Sequence, residues 1–342
     1  MNFPLNAWYA AAYDVEVRHA LLPRTICNQK LVLFRRTDGA VAALEDACWH
    51  RLMPLSLGRL EGDELVCGYH GLVYDSQGRC THMPSQETLN PSACVRSFPV
   101  VERHRFVWIW PGDPAKADES LIPTAEEIGL EIEGLYAKPF YAHHVEGRYQ
   151  LLNDNLLDLT HLGYLHSSSI GTPDDAATVE ERNVNERRIS SRRIMRNTPA
   201  PPVSQHRFKF DGPVDRVSGM DFFFPGFHSG IGDTYVAQGH ERAGEMLNSS
   251  RVWHAVTPAK KFTTNYFFAM GSPDREGVEF MVEYLKPVLE EDIFATVEIE
   301  KIIQTLDELP QELMLKSDGT AVLGRRKLQQ MMDLEKLAEA AE

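Results

Sequence analysis

Asn155-Leu-Leu-Asp158-Leu-Thr-His161-Leu-Gly-Tyr-Leu-His166 sets one carboxylate and two imidazoles into an otherwise apolar run. Leu151, Leu152, Leu156, Leu157, Leu159 and Leu162 give that run the spacing of a helix packed into a core. On such a helix Asn155, Asp158 and His161 are three apart and share one inward stripe. His166 lies five residues past His161, about 140° further round at 3.6 residues per turn. Both imidazoles reach one point only if the helix bends or ends near Gly163, and that break is predicted. Burial of such a set is unfavourable unless something pairs with it. Two readings stay open on the residues alone: histidines bonded to backbone carbonyls, or two imidazoles and a carboxylate around a metal ion with positions left open.

Composition sets the wider limits. At 342 residues the chain is long for a single core, and two domains are expected. A hydrophobic content of 43% with 25% charged residues is that of an ordinary globular chain. A net charge of −14 argues against non-specific nucleic-acid binding, which needs clustered Lys and Arg. No apolar run reaches membrane-spanning length, so no membrane partner is expected. The start, Met-Asn-Phe-Pro-Leu-Asn-Ala-Trp, has no basic run followed by an apolar one, and a cytoplasmic location is expected.

All five cysteines, Cys27, Cys48, Cys67, Cys80 and Cys94, fall in the first 94 residues. An odd number at one end points to a metal or redox module rather than a disulfide framework. Short apolar runs there, Leu31–Phe34, Val41–Leu44, Glu64–Cys67, Leu72–Tyr74 and Phe106–Trp110, are split by turns such as Asp38-Gly39 and Glu61-Gly62-Asp63. They predict a small all-β domain of sandwich or barrel type. Cys48-Trp49-His50 and, sixteen residues on, Cys67-Gly68-Tyr69-His70-Gly71 form two loop fingers, each with one thiolate and one imidazole. Zinc could accept the four groups tetrahedrally. A Rieske [2Fe–2S] cluster takes two cysteines on one iron and two histidines on the other. The usual zinc finger has both cysteines first and a helix after them, whereas here each finger is mixed and lies among strands. Gly68 and Gly71 also let backbone amides approach cluster sulfurs. The cluster is the preferred reading, and Cys27, Cys80 and Cys94 are read as core thiols.

The two fingers followed by Asn155-X2-Asp158-X2-His161-X4-His166 resemble the paired signature of Rieske non-haem iron oxygenases. The resemblance covers essentially the whole chain. It is strongest to the branch holding the vanillate O-demethylase oxygenase component and dicamba O-demethylase. Asn6-Ala-Trp-Tyr9, His50-Arg51, Pro54–Gly58, Phe98–Arg103, Ile109–Asp113, Asp154–His161 and His166–Gly171 carry that closer match. The resemblance implies an α+β chain: a Rieske domain over 1–113, then a catalytic domain over 114–342, a helix-grip (START-like) antiparallel sheet with a long helix over the iron. It implies Cys48, His50, Cys67 and His70 as cluster ligands. The mononuclear Fe(II) would be held by His161, His166 and, from Leu289-Glu-Glu-Asp292, Asp292. Glu290 and Glu291 are read as solvated helix charges, with Glu291 the ligand only if the match slips by one. Asp158 would link His161 to His70 of a neighbouring subunit in a homotrimer, and Asn155 would support the site.

Pro111–Ser120 has the turn residues of a linker, and residues 170–205 read as a polar loop over the site. Met220–Phe224, Arg251–Val256 and Thr263–Met270 alternate as strands of a curved sheet, with helices around Asp292 and over 321–340 packed on it. His254 resembles a substrate-carboxylate contact in the dicamba enzyme, and Phe222, Phe224, Tyr266 and Phe267 are expected as apolar walls. The implied activity is monooxygenation in aromatic catabolism. Electrons from NAD(P)H pass through a separate flavin/iron–sulfur reductase or ferredoxin, and O2 attacks the methyl of a methoxylated aromatic acid, leaving a phenol and formaldehyde. The alternatives are a Rieske hydroxylase or dioxygenase, or an N-demethylase, acting on another small aromatic. A zinc-stapled or electron-carrying protein without catalysis leaves the inward Asp158, His161, His166 and Asp292 unexplained.

Overall fold

The computed structural model describes residues 3–340, so the outer ends of the two expected domains, residues 1–2 and 341–342, lie outside the described residues. Two compact units result. One comprises the chain up to Ile122, with Thr257–Lys261 and the segment from Leu334; the other comprises Pro123–Val256 with Phe262–Asp333.

The first unit is built on ten short strands: β1 (Tyr9–Tyr13), β2 (Leu22–Ile26), β3 (Gln29–Arg35), β4 (Val41–Glu45), β5 (Arg59–Glu61), β6 (Glu64–Val66), β7 (Val73–Tyr74), β8 (Cys80–His82), β9 (Val100–Arg103) and β10 (Phe106–Ile109). They form three antiparallel sheets, ordered β1-β10-β9, β2-β3-β4 and β5-β6-β7-β8. Val32, Phe34, Leu44, Leu55, Leu65 and Tyr74 are fully buried between them. Each such side chain stabilises the unit by about 1.5–3 kcal/mol. The fingers fill the β4–β5 and β6–β7 connections. Cys67 N–H donates to Leu72 O at 2.8 Å and Gly71 N–H to Cys67 O at 3.1 Å. Gly71 has φ +73°, which a residue with a Cβ adopts only under strain. All five cysteines are free thiols; Cys27 is buried and Cys80 partly so, but Cys94 is exposed and is not a core thiol.

The second unit is a seven-stranded antiparallel sheet with helices on it. Its elements are β11 (Tyr136–Val145), α1 (Tyr149–Leu157), α2 (Pro173–Ala177), β12 (Glu181–Val184), β13 (Arg188–Thr198), α3 (Pro202–Phe208), β14 (Val214–Phe223), β15 (Phe227–Val236), β16 (Met246–Lys260), β17 (Thr263–Ser272), α4 (Arg275–Gln304) and α5 (Gly319–Glu339), except that β16 from Thr257 and α5 from Leu334 group with the first unit. The sheet order is β11-β17-β16-β15-β14-β13-β12. Asp274 caps α4 by accepting from Gly277 N–H at 2.9 Å. The apolar face of α4, Val278, Val282, Leu285, Val288 and Leu289, is buried and carries Asp292 with it. Among the described residues no helix is long and apolar enough to cross a membrane.

Two expectations give way here. Residues 181–198 are not loop: β12 and β13 form an edge hairpin. Ile189, Ser191, Arg193 and Met195 are buried in alternation, and the polar pair among them hides the period-2 pattern. The single inward stripe of Asn155, Asp158 and His161 is also absent. α1 ends at Leu157, Asp158 leaves the helical region at φ −113° and ψ 89°, and Leu159–Gly163 form a separate 3-10 turn. The chain breaks at Asp158 as well as at Gly163.

Candidate active site

In the finger pair, Cys48 and Cys67 lie side by side with their sulfurs within hydrogen-bonding range. His50 Nδ1 and His70 Nδ1 are 3.1 Å apart, and both rings are exposed. That spacing suits two imidazoles on one ion with bonds of about 2 Å. Among the described residues these four do not converge on one point, as a single tetrahedral ion would demand. A thiol pair and an imidazole pair fit a two-iron cluster instead. Burial pushes the Cys67 thiol up, while Tyr69 and His70 N–H donate to its sulfur and oppose that rise. Tyr74, fully buried, accepts from Trp49 N–H at 3.1 Å and holds its hydroxyl 3.2 Å from Cys48 Sγ. Tyr74 was not among the expected site residues. A tyrosine on the strand after a Cys/His finger is the signal that would have found it.

In the second unit, donor atoms of His161, His166 and Asp292 all lie within 4.8 Å of one another. His166 Nε2 is 3.0 Å and His161 Nε2 3.5 Å from Asp292 Oδ1. The other ring nitrogens are taken: His161 Nδ1 by Asp158 O at 2.5 Å, and His166 Nδ1 by Glu291 Oε2 at 2.6 Å. Both rings therefore present Nε2 to the same space. Burial pushes His166 down, but bonds to Asp292 and Glu291 outweigh it and hold the imidazole above its ordinary value. For Asp292 burial acts upward, and His166, His161 and Asn155 more than reverse it. The cluster is thus arranged to share a cation. Asn155 Nδ2 donates to Asp292 Oδ1 at 3.0 Å, while Asn155 Oδ1 is buried without a partner among the described residues, an acceptor suited to a group bound at the centre.

Two corrections concern this centre, while the supporting place expected of Asn155 agrees with its bond to Asp292. Glu291 is not a solvated helix charge but the acceptor that orients His166; a histidine whose second nitrogen needs a partner, near an adjacent acidic pair, is the signal for it. His161 is held by the carbonyl of Asp158, whose carboxylate instead caps Thr160 N–H at 3.0 Å.

A cavity of about 210 Å³ opens onto the triad. Its walls are mostly apolar: Leu156, Met220, Val252, Phe268, Leu285 and Leu289 among others. Phe222, Phe224, Tyr266 and Phe267 do not line it. Successive strand residues point to opposite faces, so Phe268 faces in where Phe267 faces away. Phe222 stacks on His228 at 4.5 Å. His254 does line the cavity, with Nδ1 held by Tyr266 Oη at 2.6 Å. Burial pushes His254 down to about 3, so it is a neutral imidazole at physiological pH.

The sequence profile of the vanillate O-demethylase oxygenase C-terminal domain matches residues 145–334, and that of the Rieske [2Fe–2S] domain matches residues 7–99. The chain belongs to the vanillate O-demethylase oxygenase family. It is a Rieske oxygenase component, and such components take their electrons from a separate reductase. This oxygenase is 35% identical to the vanillate O-demethylase oxygenase subunit of a Pseudomonas species, over 92% of this chain and 98% of the relative. It is 32% identical to the iron–sulfur subunit of the toluene-4-sulfonate monooxygenase system of Comamonas testosteroni, over 97% and 98%. The crystal structure of dicamba monooxygenase bound to 3,6-dichlorosalicylic acid superposes with a TM-score of 0.87 at 31% identity, over 98% of this chain and 99% of that one. The expected fold, an all-β Rieske domain and an antiparallel sheet with helices, is borne out.

Proposed function

We propose that this oxygenase acts in the cytoplasm to O-demethylate a methoxylated aromatic acid of the vanillate type. The observation that carries the reading is the convergence of His161 Nε2, His166 Nε2 and Asp292 Oδ1 on one end of a mainly apolar cavity. The cluster domain is assigned to 1–113 and the catalytic domain to 114–342, although the compact units divide at Ile122 and place Thr257–Lys261 and the segment from Leu334 with the first. Cys48 and Cys67 hold one iron of the [2Fe–2S] group and His50 and His70 the other. His161, His166 and Asp292 hold the mononuclear iron, which when bound supplies O2 activation at positions the triad leaves open.

The chain's own groups do the positioning. Asp158 O and the Glu291 carboxylate fix both rings with Nε2 forward, and Asn155 Nδ2 fixes the Asp292 carboxylate. Leu156, Leu285, Leu289 and Phe268 exclude water from the reacting methyl group. Neutral His254, anchored through Nδ1 by Tyr266, has Nε2 left to meet polar substrate atoms. One atom of O2 is inserted into a methyl C–H, and the hemiacetal so formed breaks into the phenol and formaldehyde. The second atom leaves as water with two electrons from the NAD(P)H-fed reductase and two protons. A homotrimer in which exposed His70 meets Asp158 of a neighbouring subunit would carry the electrons between centres; Asp158 Oδ2 has no partner among the described residues.

The test is iron quantification with EPR of the dithionite-reduced protein, then formaldehyde assay on vanillate. About three irons per chain and a Rieske signal are expected. Asp292→Ala should lose one iron, and Cys67→Ala the signal. Zinc in place of iron, no third iron, or a dihydrodiol in place of formaldehyde would overturn the proposal.

A further inference from the structure

The cavity is long. Its helix wall runs from Asp292 to Met281, eleven residues or about 16 Å of α4. Its sheet wall runs from His254 past Ser250, four residues or about 14 Å along β16, to Asn248. Directly paired residues of antiparallel strands share a face, so the wall is made of rows. His254 pairs with His228, Val252 with Gly230, and Ser250 with Gly232; Gly232 pairs with Ser218, and Ser218 with Arg193. The space over Gly230 is filled by Val252 and Met220, and that over Gly232 is bounded by Ser250. A Cβ at Gly230 would come within 2.5 Å of Val252 Cγ2, and one at Gly232 within 3.0 Å of Ser250 Oγ.

The end of the cavity away from the triad is polar; Arg216, Asn248 and Ser250 are already bonded there, and Ser218 is the donor left over among the described residues. Ser218 lines it, and Ser218 Oγ is buried without a partner among the described residues. Arg193, on the same face one strand over and only 1% exposed, leaves Nε and Nη1 in the same state. Glu180 Oε2 lies 3.5 Å from Arg193 Nη2 and has no hydrogen bond of its own among the described residues, while Glu180 Oε1 is bound by Arg182 and by Thr320 Oγ1, each at 2.7 Å. Arg216, also on the cavity wall, is paired with Asp175 at 3.1 Å and reaches Thr172 Oγ1. Three guanidinium groups thus meet two carboxylates. Asp233 does not alter the balance, because Arg251 neutralises it at 3.1 Å. Arg216 and Thr234 are buried at this end, at 7% and 8% exposed, while Ser218, Gly232, Asp233, Asn248 and Ser250 are partly exposed. Each buried donor left unmet costs about 1–3 kcal/mol. A water would satisfy one such donor, whereas a carboxylate accepts from several and answers the excess positive charge.

We propose that this far end is an acid-binding subsite. Ser218 donates to the substrate carboxylate, Arg216 stands beside it, and Arg193 supplies positive potential from behind. The inference rests on the O-demethylation reading and extends it: the acid group and the methoxy group are separated by the length of the cavity. Within the methoxylated aromatic acids, the preferred substrate is then one whose carboxylate stands further from the methoxy group than in vanillate, which itself fills only the triad end.

Calorimetric binding to the anaerobic holoenzyme tests this, with para-methoxybenzoate, 6-(para-methoxyphenyl)hexanoate, its methyl ester and the matching alcohol as probes. The hexanoate should bind about tenfold or more tighter than the benzoate and than its own ester and alcohol, the gain of one charge-assisted contact. Ser218→Ala should remove most of that preference while leaving para-methoxybenzoate binding and the melting temperature unchanged. Arg193→Gln should act in the same direction. Equal affinity for hexanoate and benzoate, an ester or alcohol that binds as well as the acid, or an unaltered preference in Ser218→Ala would overturn the subsite. Formaldehyde release is read separately: tight hexanoate binding without formaldehyde ends the demethylation reading and keeps the subsite, whereas formaldehyde with no length preference does the reverse.

Discussion

Removing one oxygen atom, in Tyr74→Phe, should lower the reduction potential of the Rieske cluster. The hydroxyl is fully buried, accepts from Trp49 N–H, and so has its own proton free for Cys48 Sγ at 3.2 Å. A hydrogen bond to a cluster sulfur favours the reduced, more electron-rich state. A hydrogen bond to a charged group contributes about 1.5–3 kcal/mol, and about half of that should distinguish the two oxidation states. For a one-electron couple about 1.4 kcal/mol corresponds to 59 mV, so the expected drop is about 30–60 mV. Stability should fall much less, by about 1 kcal/mol, because Trp49 is half exposed and water can replace the lost acceptor. The assay is an EPR-monitored redox titration of wild type and variant, with exposed Tyr69→Phe as the control. An unchanged or raised potential in Tyr74→Phe would show that the hydroxyl does not serve the cluster sulfur.

Other perturbations separate the parts of the catalytic unit. Glu291→Gln takes the carboxylate from His166 Nδ1 and should weaken Fe(II) binding about tenfold or more, read as iron retained after dialysis against a chelator; full retention would count against it. Asn155→Ala removes the 3.0 Å bond to Asp292, with a similar loss of iron and little change in melting temperature. Gly232→Val pushes a side chain into the cavity against Ser250 Oγ; aromatic-acid binding should fall at least tenfold with iron content unchanged, at a stability cost of about 1–3 kcal/mol. Burial alone would raise the pKa of Glu300, but Arg148, bonded at 2.6 Å, holds it below the ordinary carboxylate value. That contribution is present above the unfolded carboxylate range and is lost as pH falls through the lower, folded value. Arg148→Met should therefore cost about 3–5 kcal/mol at neutral pH, and the difference from wild type should shrink in acid; a pH-independent gap in thermal melts would refute the pairing.

Much of the fold was legible because its signals are local. The strands of the first unit, the two Cys/His fingers and the helix carrying Asp292 each follow from short runs of residue type and spacing. β13 was not legible, since Ser191 and Arg193 sit at buried positions where alternation would call for apolar residues. The break of α1 was anticipated near Gly163 but begins at Asp158, whose side chain competes for the backbone of the next turn. The aromatic walls were assigned to the wrong strand face at Phe267, because a one-residue choice inverts every side chain.

By itself the sequence determined the chemistry on offer: two thiol–imidazole fingers, two histidines in an apolar run, and family motifs in a fixed order. Residue type and short spacing suffice for that. Only the tertiary structure decided which distant groups act on those residues. Asp292 and Glu291 reach His166 across 126 and 125 positions of chain, Asp158 turns its carbonyl rather than its carboxylate to His161, and Tyr74 turns its hydroxyl to Cys48. The length and polar end of the cavity belong there too. They arise from the register of four strands against one helix, a relation between segments that no local pattern encodes.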